Sequence, residues 1–169
     1  DTLAKIAAEK AGIIKPGSVV VCSPQFPEAM AVIEKVCQER EVRLVRIGRE
    51  ITWQQEQFSL EGQRFQLTGI TGKYDLRIPL LGEHQLENAA TAVASVEVLT
   101  GLGAKVSPEN IASGLAQVHW PGRLQILRRE PLVIVDSAHN ADSAKRLVET
   151  LKRYFNLDRV VLILGASSD

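Results

Sequence analysis

The apolar positions of this chain change period several times. Near the start, Leu3, Ile6, Ala7 and Lys10 recur at i, i+3, i+4 and i+7. That spacing predicts a helix through Ala11, capped by Asp1 or Thr2 and stopped by Gly12. Lys5 and Glu9 lie opposite as an i, i+4 pair, which turns Lys10 toward the core. Pro16-Gly17 then leads into a strand over 18–22, an amphipathic helix over 27–40 with Pro27 in its first turn, and a second strand over 42–47. This β-α-β rhythm predicts a parallel sheet.

Residues 51–80 follow a period of two. Phe58-Ser59-Leu60 and Phe65-Gln66-Leu67 flank Glu61-Gly62, a hairpin turn, and residues 74–78 alternate polar with apolar, so an antiparallel section is expected. A long helix rich in small residues (Ala89, Ala90, Ala92, Ala94) is predicted over 84–99. Ser107-Pro108-Glu109 opens a short one to about residue 116, with serine as cap and proline at its first position. Residues 119–123, His-Trp-Pro-Gly-Arg, break the pattern and mark a domain boundary. Beyond it come residues 124–129, the turn Glu130-Pro131, an apolar run over 132–135, a helix over 141–154 and a last apolar run over 159–165. The run 132–135 reads as a buried parallel strand. Open α/β sheets bind ligands at such a strand's carboxyl end, which makes residues 136–140, Asp-Ser-Ala-His-Asn, a prime candidate site.

Composition narrows the classes. Of 169 residues 45% are hydrophobic, enough for a real core. Lys and Arg equal Asp and Glu at 20 each, so the net charge is zero, which disfavours a nucleic-acid binder. Apolar runs are too short to span a bilayer and no signal-peptide pattern is present. Cys22 and Cys37 lack metal spacing and read as buried, reduced thiols, as in the cytoplasm. The start on a helix cap and the finish on a strand with a Gly/Ser turn are those expected of a piece of a longer enzyme.

Several residues carry candidate chemistry. Lys10 is either a packed stem with a snorkelling amine or a lysine whose charge burial has altered. His84 and Asn88 share one face of a helix start. An asparagine amide matches the donor and acceptor of adenine, although His84 or Glu83 could merely cap the helix. Arg123 could clamp a phosphate, or be a surface arginine or one arm of an interdomain salt bridge. Trp120 reads as packing. Asp136 is either a ligand carboxylate or a helix cap. His139 and Asn140 do not make a nucleophilic triad: Gly-x-Ser-x-Gly is absent, both cysteines read as buried, and Ser137 lacks elbow glycines. Gly72-Lys73-Tyr74 is not a phosphate loop, because positions 67 and 74 are Leu and Tyr; it reads as a strand-entry turn.

Taken together, the segments 5–17 (KIAAEKAGIIKPG), Gly82-x-His84-Gln85-x-x-Asn88-Ala89-Ala90, Trp120-Pro121-Gly122-Arg123-Leu124 and Asp136-x-Ala138-His139-Asn140 resemble the folylpolyglutamate synthase/dihydrofolate synthase family of the Mur ligases. The resemblance covers essentially the whole chain. It implies an α/β fold: residues 1–119 as the later part of a central ATP-binding domain, 120–123 as a hinge, and 124–169 as the start of a Rossmann-like C-terminal domain. It implies ATP and Mg²⁺ as cofactors, and L-glutamate and a folate or dihydropteroate as substrates. A folate carboxylate would take the γ-phosphate of ATP, and the glutamate amine would then displace phosphate. By position, Lys10 matches a carbamylated lysine serving Mg²⁺, Asn88 an adenine contact, Arg123 and Asp136 nucleotide contacts, and His139 a residue near glutamate and phosphate. His84 belongs to a Gly-x-His signature without a catalytic role. A monomer, bound neither to nucleic acid nor to a membrane, is expected. Rival readings are a UDP-muramyl peptide ligase of the same superfamily and a non-catalytic nucleotide-binding module.

Overall fold

A computed structural model describes residues 2–165; Asp1 and residues 166–169, where the Gly/Ser turn was expected to continue, lie outside the described residues. The first elements are α1 (Leu3–Ala11), β1 (Val19–Cys22), α2 (Pro27–Glu39) and β2 (Arg43–Arg46). β1 and β2 pair in parallel, Val20 facing Leu44, as the β-α-β rhythm predicts. Thr2 caps α1 by accepting from the Lys5 amide at 3.3 Å.

The face that α1 buries corrects the expectation. Ala7 and Ala11 are buried, whereas Leu3 and Ile6 are 41% and 43% exposed. Lys10 points into solvent and pairs with Glu9 at 3.2 Å, displacing the expected Lys5–Glu9 pair. Small side chains let α1 lie close to α2, and Ala11 and Ile14 pack with Cys37 and Val42. Burial on α1 follows contact distance rather than hydropathy, so Lys10 falls outside the core.

The antiparallel section is β3 (Thr52–Ser59), β4 (Gly62–Thr68) and β5 (Lys73–Ile78), in that order. Its period-two pattern is realised: Phe65, Leu67, Leu76 and Ile78 are each at most 2% exposed. They share a core with Leu86, Ala90, Val93 and Ala94 of α3 (Glu83–Gly101). Of the alanines predicted for that helix, Ala89, Ala90 and Ala94 lie on its buried face and Ala92 is exposed. α4 (Pro108–Ala116) follows with a capping box between Ser107 and Asn110.

After an irregular stretch come β6 (Gln125–Arg129), β7 (Leu132–Val135) and α5 (Ala141–Tyr154). Here two expectations are corrected. β7 is paired antiparallel with β6, and alternate residues Val133 and Val135 remain 38% and 42% exposed, so it is not a buried parallel strand. The apolar run near residue 160 forms no strand: Val161 and Ile163 are 91% and 94% exposed, with no ladder partner among the described residues. An apolar run becomes a strand only where another strand accepts its backbone bonds.

α5 matches its predicted span. Its far end docks on the antiparallel sheet. The Arg153 guanidinium lies 4.3 Å over the Phe58 ring, bonds Gln55, and sits 3.4 Å from the Glu83 carboxylate. Tyr154 meets Phe58 edge to face at 5.3 Å. This docking brings the start of α5 opposite the start of α3.

Candidate functional site

Between those two helix starts lies a cleft of about 370 Å³. One wall is His84, Gln85, Glu87 and Asn88 from the first turns of α3, with Ser23 from the carboxyl end of β1. The other is Arg123 from the irregular stretch, Asp136 and His139 from the loop after β7, and Arg146 from α5. Asn88, Arg123, Asp136 and His139, expected at a site from sequence alone, thus share one cavity. Lys10 does not line it.

The α3 wall is built from the sheet upward. Gln63, only 1% exposed on β4, donates to the carbonyls of Leu80 and Gly82 at 2.7 and 2.9 Å, and accepts from Gln55 at 2.6 Å. This holds the chain as it enters α3. Gly82 occupies the N-cap at φ +105°, so neither His84 nor Glu83 caps the helix. A Cβ at Gly82 would come within 2.6 Å of the His84 ring, which requires glycine there.

Gln85, nearly buried, joins the two polar residues of that face. Its amide nitrogen lies 3.0 Å from His84 Nε2, and its oxygen accepts from Asn88 at 3.2 Å. His84 Nε2 therefore acts as the acceptor, and the Asn88 amide keeps its oxygen and its second N–H for a ligand. Sequence reasoning quoted Gln85 in a motif but missed this role. Arg146 it missed entirely; the only signal was its i, i+4 spacing from Asp142, with which it pairs at 2.9 Å.

Burial pushes His84 below its ordinary value, aided by the nearby Arg146 and Arg123 cations, while Asp136 and Asp142 oppose the shift. Burial raises Glu87, against the pull of Arg146. For His84 the pH consequence has a definite sign. The unfolded chain takes up the proton first, so this group's contribution is complete above 6.5 and is lost as pH falls through the lower folded value. An NMR titration of the His84 ring should give a midpoint below 6.5. A midpoint at or above that value would contradict the neutral acceptor role.

On the opposite wall, His139 Nδ1 lies 3.1 Å from the Ser137 carbonyl, so this nitrogen carries the proton and Nε2 remains an acceptor. Asn140 is committed to the capping box of α5: its oxygen accepts from the Ser143 amide at 2.9 Å while Ser143 Oγ accepts from the Asn140 amide at 3.1 Å. With Asn140 so engaged and both cysteines buried and unpaired, the structure offers no nucleophilic triad among the described residues. The helix-cap alternative for Asp136 is corrected, since Asn140 does the capping. Asp136 instead accepts from the Leu124 and Ala138 amides, each at 2.8 Å. Trp120 is 59% exposed beside a second groove of about 230 Å³, lined also by Leu80 and Leu81, and does not pack as expected.

The described residues contain no group of three His, Cys, Asp or Glu side chains able to hold a metal ion. Within them, no helix is long and apolar enough to cross a membrane.

Residues 122–169 match the family model described as Mur ligase, glutamate ligase domain. The chain is 37% identical over 176 residues to the dihydrofolate synthase/folylpolyglutamate synthase of Mycobacterium tuberculosis, covering 99% of this chain and 36% of that protein. It superposes on an FPGS–AMPPCP–folate complex with a TM-score of 0.87 and 34% identity, over 93% of this chain and 39% of that one. For the M. tuberculosis folylpolyglutamate synthase complexed with ADP, the TM-score is 0.85 at 38% identity, over 92% of this chain and 35% of that one. The chain thus spans well under half the length of the relatives it matches.

Proposed function

We propose, for a chain that belongs to the folylpolyglutamate synthase/dihydrofolate synthase family of the Mur ligases, that its cleft is part of the ATP site of a ligase joining L-glutamate to a folate carboxylate. The observation that carries this reading is the convergence of Asn88, Arg123, Asp136 and His139 on one cavity. The free oxygen and N–H of Asn88 fit the donor–acceptor edge of adenine. The Arg123 guanidinium, in no salt bridge to a described carboxylate, fits phosphate oxygens. Asp136 lines the same wall of the cavity. His139 lines the same cavity and is assigned to the phosphate and glutamate region.

ATP supplies the activation of the carboxylate when bound; these residues bind and orient it, and domain closure would exclude water. The division at residues 120–123 belongs to the same proposal and is supported by the family match that begins at residue 122. So do a monomeric state and a cytoplasmic setting, for which two buried free thiols speak. Mg²⁺ fits this cleft poorly: the described residues offer no ligand cluster, and Lys10 lies with Glu9 outside it. A carbamate on the exposed Lys10 amine would add one oxygen-bearing group to whatever site holds the ion.

The test is turnover by the full-length protein with ATP, glutamate and either tetrahydrofolate or dihydropteroate, alongside UDP-muramyl peptide precursors. Glutamate addition to a folate is expected. Turnover of only the muramyl substrates, or nucleotide binding with no turnover, would refute the folate reading.

A further inference from the structure

The turn that carries Arg123 is tied to the loop after β7 at two points, and to β6 at a third. The Gly122 carbonyl accepts from the Ser137 amide at 2.9 Å. The Leu124 amide donates to one oxygen of Asp136 at 2.8 Å, and the other oxygen takes the Ala138 amide at 2.8 Å. The Gly122 amide itself donates to the Gln125 side chain at 3.0 Å. Arg123 therefore sits between two residues whose backbones are both bound to neighbours downstream.

The two flanking conformations need such support. Gly122 has φ +75° and Leu124 φ +43°. Left-handed backbone costs nothing special at glycine but is an outlier for a bulky residue. Leu124 is nonetheless 7% exposed, with its side chain packed inward. An amide held by a carboxylate is what keeps it there, because charge-assisted bonds are the strong ones. The turn direction fixed in this way decides where the Arg123 guanidinium enters the cleft.

We propose that Asp136 is a positioning residue for Arg123: its carboxylate fastens the left-handed turn at Leu124 and so aims the guanidinium at the phosphates of a nucleotide. This rests on the nucleotide reading above and adds a role that acts through the backbone. It requires that losing Asp136 and losing Arg123 disable the same interaction.

The experiment is binding of AMPPCP to the full-length protein by calorimetry, for the wild type, D136N, R123A and the double variant. Asparagine keeps the shape but turns an N–H₂ toward one backbone N–H. D136N alone is expected to weaken binding about tenfold, and the double variant to bind no more weakly than R123A. Hydrogen exchange at the Leu124 amide should quicken in D136N. If the two single effects multiply in the double variant, Asp136 acts independently and the proposal is overturned. Should D136N fail to fold, Q125A loosens the same turn from outside the cleft; weaker binding that vanishes in the R123A background supports the proposal, and unchanged binding overturns it. A wild type that binds no AMPPCP refutes the nucleotide reading itself, whereas wild-type binding with equal binding by D136N and Q125A refutes only the fastening.

Discussion

Replacing Glu97 by alanine is expected to lower the unfolding free energy by about 3 kcal/mol, the order of a buried acceptor removed from several donors. Glu97 is 4% exposed on the inner face of α3. One oxygen accepts from the Thr71 amide at 2.9 Å, the Thr71 hydroxyl at 2.7 Å and the Tyr74 hydroxyl at 2.9 Å. The other accepts from the Ile70 amide at 2.7 Å. The turn between β4 and β5 is thus closed onto α3 by one carboxylate. Gly69 makes room for it, since a Cβ there would lie 2.5 Å from the carboxylate. Burial alone would raise the acid, but the Thr71 and Ile70 amides and the two hydroxyls outweigh it and leave it below 4.5. The stability from this group is therefore complete above 4.5 and is lost as pH falls through the folded value, because the unfolded chain protonates first. Urea unfolding between neutral and acid pH should show a slope below 4.5 that Glu97→Gln lacks. An alanine variant as stable as the wild type would remove Glu97 from this account.

On the carbamate proposal, Lys10→Ala is expected to cut turnover of the full-length protein by about 10²–10³, the order of removing one group that stabilises transition-state charge. Acetate or formate should restore part of it by replacing the carbamate's carboxylate-like charge. The exposure of Lys10, 74% of its side chain, makes this a sharper test. A snorkelling surface lysine paired with Glu9 contributes little to stability or rate. Labelling with ¹³C-bicarbonate should give a carbamate carbon signal in the wild type and none in K10A. Normal turnover by K10A would end the carbamate proposal.

The contrast between these two residues shows what a linear pattern can carry. Alternation in β4 and β5 marked an antiparallel section, and Phe65, Leu67, Leu76 and Ile78 on one face of it are core, because a pleated strand leaves only two faces. On α3, Ala89, Ala90 and Ala94 take the buried face and Ala92 does not. On α1 the same logic failed, since Ala7 and Ala11 make the contact and Leu3 and Ile6 do not. Hydropathy weighs side chains by size, while close helix packing selects small ones. β7 misled in another way: an apolar run does not reveal whether its partner is a parallel strand or the polar β6. All five candidate site residues were nameable from their motifs, and four of them share the cleft. The Gln63–Gly82 and Gln85–Asn88 bonds were not, because they join residues through space with no periodic trace.

The fastening of the Arg123 turn also says where halves of two relatives could be exchanged. A crossover placed after Leu124 would pair one parent's arginine with the other parent's Asp136 loop, and every bond between Gly122, Leu124 and residues 136–138 would have to survive in a foreign setting. A crossover between Val118 and Trp120 keeps the arginine, its turn and its carboxylate in one inheritance. The seam for building chimeras thus lies a few residues before Arg123.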